Sequence, residues 1–175
     1  MSPGKMFFVD WQPDLKTELL ELKPLQESDF ENLYKVASDP LIWEQHPETY
    51  RYKKEVFRKY FESGLHSKGA LLILDRSTGE ILGSSRFYDH DAVNNQIAIG
   101  YTFLARKCWG KPYNKELKRM MINYAFNQVE NIVFVIGINN IRSRKAIEKT
   151  GATPDNQNES SVTYKLTKET WYKKP

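Results

Sequence analysis

Two short segments of the sequence carry residues that suit phosphate binding, and each lies between a predicted strand and a predicted helix. The first is the basic, glycine-containing segment 106–113, with the sequence RKCWGKPY. The second is segment 139–143, NNIRS, which follows the next predicted strand. The first turn of a helix has backbone N–H groups without carbonyl partners and the positive end of the helix dipole, so it attracts anions. Two such junctions in one stretch predict a cradle for a phosphorylated cofactor.

The charge distribution points to the same two segments. The chain has 26 Lys and Arg residues and 22 Asp and Glu residues, a formal net charge of +4, and a mild basic excess suits nucleic acid, an acidic membrane surface or an anionic cofactor. Trp and Tyr fall mainly at spacings typical of a core and no nucleic-acid recognition motif is visible, so a nucleic-acid-binding protein is the weaker alternative function and we predict no nucleic-acid partner. Each cation beside the two segments is equally consistent with a solvated helix face. These cations are Arg106, Lys107, Lys111, Lys115, Lys118, Arg119, Arg142, Arg144 and Lys145.

Size and composition predict one folded domain over residues 1–175. A chain of 175 residues with 40% hydrophobic side chains is long enough to bury a core. No apolar run approaches the roughly 18 residues that span a bilayer, and residues 1–11 lack the pattern of a secretory signal. Cys108 is the only cysteine, which excludes an internal disulfide. We therefore predict a cytoplasmic protein without a membrane partner.

Hydrophobic periodicity predicts helices and antiparallel strands in the first half of the chain. Ser28 and Glu31 have the spacing of a capping box, which predicts the start of a helix that ends at Asp39 and Pro40. A glycine-containing turn at 76–79 joins two strands into a hairpin. The predicted elements are a strand at 17–22, helices at 28–38 and 50–65, and strands at 70–74, 81–88 and 96–104.

The second half of the chain predicts alternating helices and strands. An apolar stripe at helical spacing predicts a helix over 113–128. Residues 132–138 are nearly all apolar, as in a strand that is buried on both faces. A short helix at 141–150, closed by Gly151, and a strand at 162–166 follow. Together the elements predict a mixed sheet covered by helices.

A family resemblance rests on an ordered set of segments. They are GSSRFY at 83–88, IGYTFL at 99–104, WG at 109–110, NNIRS at 139–143 and EKTGA at 148–152. The chain resembles the GNAT acetyltransferases, and most of all their ribosomal-protein (Rim-type) N-acetyltransferase branch, over residues 17–171. The resemblance implies an α/β (α+β) GNAT fold, with a mixed central sheet flanked by helices in a three-layer αβα sandwich. It also implies direct transfer of an acetyl group from acetyl-CoA to a primary amine, on a small molecule or a protein N-terminus, by a monomer or homodimer.

The resemblance further implies which residues hold acetyl-CoA. In this family the cofactor lies where two central parallel strands splay apart, and its amide-rich arm adds to an exposed strand edge. By resemblance the backbone of Phe103, Leu104 and Ala105 pairs with this arm. Asn140 hydrogen-bonds the arm from the far side, and Ser143 lies near the sulfur as the catalytic acid. The residues implied for the pyrophosphate are Lys107, Trp109, Gly110, Lys111, Tyr113 and Asn114.

Three positions depart from the family's pattern. Pro112 replaces a small residue in the phosphate-binding turn, and its missing N–H removes one donor, worth roughly 1.5–3 kcal/mol or about tenfold to hundredfold in affinity. Proline is also favoured at the first position of a helix, where it is harmless. Ala98 stands where many members have a Glu base, and Ile147 stands where many have a Tyr acid. Glu44 and His46 are candidates to replace the base, which stays unassigned.

The acceptor site of the resembled family lies between its first two helices. The acceptor-binding residues implied here are Trp43, Glu44, His46, Tyr50, Arg86 and Tyr88. Arg86 and Tyr88 share a strand face, and the sequence does not say which face meets the acceptor. A weak base favours an α-amine, which titrates near 8, over a lysine amine, which titrates near 10.4.

Two polar groups have simpler interpretations than a functional site. The segment 89–91, DHD, is predicted to be a turn between strands rather than a metal site, so we predict no metal. Cys108 has no His close in sequence and is interpreted as an incidental thiol rather than a nucleophile. A non-catalytic CoA-binding module of the same fold remains the alternative function, because Pro112, Ala98 and Ile147 all depart from the family's pattern.

Overall fold

Eight strands form one mixed sheet in the computed structural model, which describes residues 8–173. The prediction about a secretory signal concerns residues 1–11, of which the first seven lie outside the described residues. In space the strands follow the order β1-β2-β3-β4-β5-β6-β8-β7. The strands are β1 (Leu15–Lys16), β2 (Leu20–Pro24), β3 (Ala70–Asp75), β4 (Ile81–Asp91), β5 (Gln96–Leu104), β6 (Asn131–Gly137), β7 (Thr153–Gln157) and β8 (Ser161–Thr167).

Helices cover both faces of this sheet, so the predicted three layers are confirmed. The helices are α1 (Phe30–Ala37), α2 (Lys54–Ser67), α3 (Tyr113–Phe126), α4 (Ile141–Glu148) and α5 (Lys168–Tyr172). On one face, Leu33 of α1 and Phe57 of α2 are fully buried in one hydrophobic cluster. On the other face, Leu117 and Met121 of α3 are fully buried in a second, larger cluster that includes Ile147 of α4. Among residues 8–173, no helix combines the length and apolarity needed to cross a bilayer.

Most predicted elements are confirmed, and the differences have local causes. The predicted first strand at 17–22 begins later, at Leu20, because the Thr17 hydroxyl accepts the Leu20 N–H at 3.1 Å in a tight turn. The predicted capping box of Ser28 and Glu31 is wrong: Asp29 Oδ2 instead accepts the Gln26 N–H at 2.8 Å. The sequence also predicts no strand at β7, whose residues are all exposed and therefore lack an apolar pattern.

The two central strands β5 and β6 run parallel and pair over three residues only, from Gln96 with Asn131 to Ala98 with Val133. Beyond this point a bulge bends β5. Ser84 and Arg86 of β4 face Phe103 and Gly100, so Ser85 opposes two residues of β5. A bulge of this kind turns a strand out of the regular ladder, and here it accompanies the opening of a gap between β5 and β6.

Tyr101 lies in the bulge and has a left-handed backbone conformation, with φ at 52°. Such a conformation is strained for a tyrosine and persists only where the surroundings hold it. The Tyr60 hydroxyl of α2 donates a hydrogen bond to the Tyr101 carbonyl. The first helical layer therefore fixes the strand at the point where the gap begins.

We expect Tyr60→Phe to lower the free energy of unfolding by about 1 kcal/mol, because the Tyr101 carbonyl loses its donor. Tyr34→Phe is the matched control, since the Tyr34 hydroxyl donates to another backbone carbonyl, that of Tyr52, at 2.9 Å. Both variants should lose similar stability in chemical denaturation. Only Tyr60→Phe should speed amide hydrogen exchange within residues 100–104. Equal exchange in the two variants would show that Tyr60 does not hold the bulge.

Candidate functional site

The gap between β5 and β6 is a cleft of about 500 Å³. Both strands lead into helices, β5 through a turn into α3 and β6 through a turn into α4, and the starts of both helices line the cleft. The two predicted junctions thus lie on either side of one cavity. Of the residues predicted to bind cofactor, those that line it are Phe103, Leu104, Trp109, Gly110, Lys111, Asn114, Asn140 and Ser143.

The turn before α3 presents a short row of backbone donors. Gly110 has φ at 70°, and a side chain there would meet no atom within 4 Å, so glycine serves the backbone conformation alone. Pro112 has φ at −65°, and its carbonyl accepts the Glu116 N–H at 2.9 Å as the first bond of the helix. Proline therefore fits this position. The N–H groups of residues 113–115 precede that bond and have no carbonyl four residues back within the helix.

Three residues predicted for the cofactor have side chains outside the cleft lining, namely Ala105, Lys107 and Tyr113. The Lys107 amine hydrogen-bonds the Glu80 carboxylate, which raises the pKa of that lysine. The Tyr113 hydroxyl donates to Asp75 Oδ2 at 3.0 Å. Both contacts tie the turn to the β3–β4 hairpin. Lys111 is then the lysine of this turn that faces the cleft.

Trp109 and Arg142 meet across the cleft. The Trp109 indole Nε1 donates to the Leu104 carbonyl at 3.2 Å, and the Arg142 guanidinium carbon lies 3.8 Å from the centroid of the Trp109 ring. Arg142 also donates to the Ile42 carbonyl at 3.2 Å and lies 3.7 Å from a Glu44 oxygen. Arg142 therefore links the α3 turn, the start of α4 and the segment before α2.

The first turn of α4 carries Asn140 and Ser143. Asn140 is 7% exposed, and its Oδ1 accepts the Ser143 N–H at 3.2 Å as the cap of the helix. Capping occupies the oxygen of this carboxamide and leaves Nδ2 as its donor for a ligand. Ile147 lies one turn after Ser143 and also lines the cleft. On the face of α4 that Ser143 and Ile147 share, the Ser143 hydroxyl is therefore the polar side-chain group.

The segment before α2 contributes His46 and Trp43, two of the residues predicted for the acceptor, to the cleft lining, together with Arg51. We call this part of the lining the acceptor end, after that prediction. Trp43 is buried and donates through Nε1 to the Ala37 carbonyl at 2.7 Å. Burial, and then the charge of Arg51, lowers the pKa of His46 to about 4. The imidazole is therefore neutral at pH 7, but a group with this pKa is a weak base toward an amine.

The remaining predicted acceptor residues occupy different places. Tyr88 lines the cleft, and burial raises the pKa of its hydroxyl to about 12. Arg86 is 4% exposed and lies beneath the surface, with its guanidinium carbon 4.0 Å from the Tyr101 ring centroid. Glu44 and Tyr50 are exposed outside the lining. Arg86 and Tyr88 share the sheet face covered by α1 and α2, because Phe87 lies in the core on the α3 face.

Lys118 lines the cleft, although the sequence analysis names it only among the cations beside the first segment and not as a site residue. It is 8% exposed, and its amine donates to Thr102 Oγ1 at 3.1 Å. Burial lowers its pKa to about 8. The sequence does contain a signal for the burial of this lysine, because Lys118, Met121 and Ile122 are spaced at i, i+3 and i+4 on the buried face of α3. A lysine in such a stripe departs from the pattern of a core helix.

Neither of two other kinds of reactive site, a cysteine nucleophile and a metal centre, is supported among residues 8–173. Burial raises the pKa of the Cys108 thiol, which keeps it protonated at pH 7 and disfavours it as a nucleophile. No group of three His, Cys, Asp or Glu side chains in this described part of the chain is placed to hold a metal ion.

Comparison with known proteins identifies the domain. The family model of the acetyltransferase (GNAT) domain matches residues 20–153. A GCN5-related N-acetyltransferase from Brucella melitensis superposes with a TM-score of 0.79 at 16% identity, over 92% of this chain and 81% of that one. Spermidine N-acetyltransferase from Vibrio cholerae, in complex with CoA and spermine, gives 0.68 at 13% identity, over 89% and 99%. A structure assigned as a ribosomal-protein-serine acetyltransferase, also from Vibrio cholerae, gives 0.73 at 12% identity, over 91% and 99%. These likenesses confirm the predicted fold.

We expect Lys118→Met to stabilise the protein at pH 7 by up to about 3 kcal/mol, because it removes a buried amine whose pKa falls from 10.5 to about 8 on folding. Between these two pH values the unfolded chain binds more protons than the folded one, so wild-type stability rises with pH. The advantage of Lys118→Met should therefore shrink from pH 8 to pH 10. Lys115→Met, at an exposed position of the same helix, should show no such pH dependence in urea denaturation. A constant advantage across this range would contradict the buried, shifted amine.

Proposed function

Because the chain belongs to the GNAT acetyltransferase family, we propose that it transfers an acetyl group from acetyl-CoA directly to a primary amine. One observation carries this proposal. The edge of β5 beyond Ala98 has parted from β6, and two helix N-termini flank the resulting cleft. An open strand edge suits the amides of the cofactor arm, and helix N-termini suit its phosphates.

The residues of the cleft fit such a cofactor. The N–H groups of residues 113–115 and the amine of Lys111 supply donors for the pyrophosphate, and Gly110 leaves space beside them. Asn140 Nδ2 faces the arm from the α4 side. Pro112 then costs less affinity than its missing N–H alone suggests, because three amides of the same turn remain. The Leu104 carbonyl accepts from Trp109 and keeps a second lone pair for the arm.

When bound, acetyl-CoA supplies the acetyl group as a thioester. The chain's own contribution is to hold an unprotonated amine against it and to exclude water, and such positioning supplies several kcal/mol. In this proposal the Ser143 hydroxyl, which lines the cleft, holds a proton for the departing sulfur. The described lining of the cleft contains no Asp or Glu, so proton removal falls to water or to the weakly basic His46.

A CoA-binding module without turnover is the second candidate. It is favoured by the apolar side chains of Ala98 and Ile147, which are 2% and 3% exposed and supply neither a base nor an acid. Ser143 distinguishes the two candidates, since its hydroxyl serves the transfer and is not needed for binding.

Acetyl-CoA binding is the first test of the proposal, measured by isothermal titration. We expect micromolar affinity and about tenfold weaker binding for Lys111→Ala, which loses a charge-assisted contact. Lys107→Ala is the matched control, because the Lys107 amine is already bound to Glu80, and it should bind nearly as the wild type does. Asn140→Ser retains a capping oxygen but loses the carboxamide donor, so it should also weaken binding. Absence of wild-type binding at millimolar acetyl-CoA would refute the proposal.

The second test concerns Ser143. We expect Ser143→Ala to lower kcat by about tenfold to hundredfold with the affinity for acetyl-CoA unchanged, because the departing sulfur loses its donor. Ser161→Ala, which alters another serine of the cleft lining on β8, should leave kcat near the wild-type value. If the two variants are equally active in a thiol-release assay, Ser143 is not the acid.

A further inference from the structure

The acceptor end of the cleft is built around Arg51. Its guanidinium carbon lies 5.0 Å from the centroid of the Tyr60 ring and 5.5 Å from that of Trp43. Aromatic rings on this scale of distance attract a cation and restrict its orientation. Arg51 therefore has a defined position in the cleft lining and does not extend freely into solvent.

No carboxylate within residues 8–173 lies in hydrogen-bond or ion-pair contact with Arg51. Arg51 Nη1 lies 3.1 Å from His46 Nε2 and 3.4 Å from His46 Nδ1, and Nδ1 also faces the Glu48 N–H at 3.1 Å. A neutral imidazole has one lone pair, so it accepts at most one of the five N–H donors of the guanidinium. Glu48 acts on Arg51 only through its charge, without a hydrogen bond, and burial lowers the pKa of Arg51. The guanidinium thus keeps donors for a ligand and gains from a negative one.

A second arginine reinforces the positive potential at this end. Arg86 is buried behind Tyr101 and donates to Ser63 Oγ at 2.8 Å and to the Tyr60 carbonyl at 3.1 Å. Both acceptors are neutral, so its charge is not cancelled. Its Nε is buried without a hydrogen-bond partner. The charge of Arg86 therefore adds to that of Arg51 beneath the cleft surface.

The nearby acids offset these charges only weakly, because Glu48, which acts on Arg51 through its charge, is exposed outside the cleft lining. Glu44 is half exposed and lies 3.7 Å from Arg142 at the other helix, and the described lining contains no carboxylate. A polyamine acceptor would bring further positive charges into this space, and like charges at close range repel strongly where water is excluded. An acceptor with a negative group would instead be attracted to the two arginines.

We propose that the acceptor is an amine that also carries a carboxylate, as an amino acid or short peptide does, and that Arg51 binds this carboxylate. The inference rests on the proposed function and specifies its substrate class. A guanidinium offers two parallel N–H donors that match the two oxygens of a carboxylate. With the carboxylate on Arg51, the amine points along the cleft toward β5 and α4, where the thioester is expected.

The transfer balances without a further reactant. The amine nitrogen forms a bond to the acetyl carbonyl carbon, and the bond from that carbon to sulfur breaks. The electron pair of the broken bond stays on sulfur. The proton lost by the nitrogen passes to water or His46. The sulfur takes a proton from water or from Ser143, and Ser143 regains its proton from water or from the protonated His46, so the products are an amide and a free thiol.

The experiment compares acceptors that differ only in the carboxylate. Alanine, leucine and phenylalanine, and the dipeptides Ala-Ala and Ala-Leu, are each assayed at pH 8 beside the matching C-terminal amide, with acetyl-CoA saturating. The two sets separate free amino acids from peptides as the source of the carboxylate. Replacing the carboxylate by an amide lowers the pKa of the nearby amine, so chemistry alone favours the amides. A preference for the acids must then come from binding.

We expect at least one acid to have a kcat/KM at least tenfold above that of its amide, mainly through KM. Arg51→Gln should abolish this preference, and Arg51→Lys should retain part of it. Arg58→Gln is the matched control, because Arg58 also lies over a ring, that of Phe30 at 4.1 Å, but outside the cleft lining. It should keep the wild-type preference.

Three results would overturn the inference while acetyl-CoA still binds: amides used as well as acids, no acid acetylated at all, or an acid preference that survives in Arg51→Gln. Failure of the wild type to bind acetyl-CoA would overturn the proposed function and this inference together. Turnover of amides or polyamines alone would leave the acetyltransferase proposal standing and remove only the carboxylate-bearing acceptor.

Discussion

The separation of β5 from β6 is the constraint on which the rest of the site depends. The strands share three residue pairs and then part, and the bulge at Tyr101 bends β5 just beyond that point. Parallel strands that stayed paired would fill the space with their own hydrogen bonds. Because they part, one edge of β5 is open and the helices after both strands begin at the same cavity. The bulge is held from the first helical layer by Tyr60, so the layer that carries the proposed acceptor site also fixes the strand edge proposed for the cofactor.

Two charged groups that fit the fold poorly lie in the cleft lining or just beneath it. Lys118 is buried with a neutral hydroxyl as its partner, and Arg86 is buried between neutral acceptors. Isolated buried charges oppose folding, whereas apolar side chains at these positions would stabilise the protein. Such residues concentrate where a structure serves a ligand rather than its own stability. Their shared location around one cavity argues that the cavity is functional on grounds independent of the family comparison.

The sequence predicted the second half of the fold well because its signals are local. The helix over α3, the position of strand β6 and the turn glycine Gly110 each follow from a short pattern, and both junctions line the cleft as expected. The prediction that β6 is buried on both faces is wrong, because its burial alternates and Val135 is 50% exposed. The direction of a side chain within a turn is not local, so the sequence could not show that Lys107 is bound by Glu80 while Lys111 faces the cavity. Arg51 was missed for a similar reason. It falls within the helix that the sequence predicts over 50–65, whereas α2 begins at Lys54. The segment before that helix is irregular and places Arg51 over Tyr60 and Trp43.

The three departures from the family's pattern differ in how much they would cost cofactor binding or proton transfer. Pro112 adopts the backbone conformation of a first helical turn and leaves three neighbouring amides available, so it costs little. Ile147 fills part of the core beside Ser143. In our proposal the acid is the hydroxyl of Ser143, one turn earlier on the same helical face, in place of the phenol of the family's tyrosine. Ala98 is the departure without a substitute, because the candidate base His46 has a pKa near 4. That pKa is low partly because of Arg51, whose charge a bound carboxylate would offset. An anionic acceptor would therefore make His46 more basic at the moment when the amine must lose its proton, so the same arginine would link recognition of the acceptor to its activation.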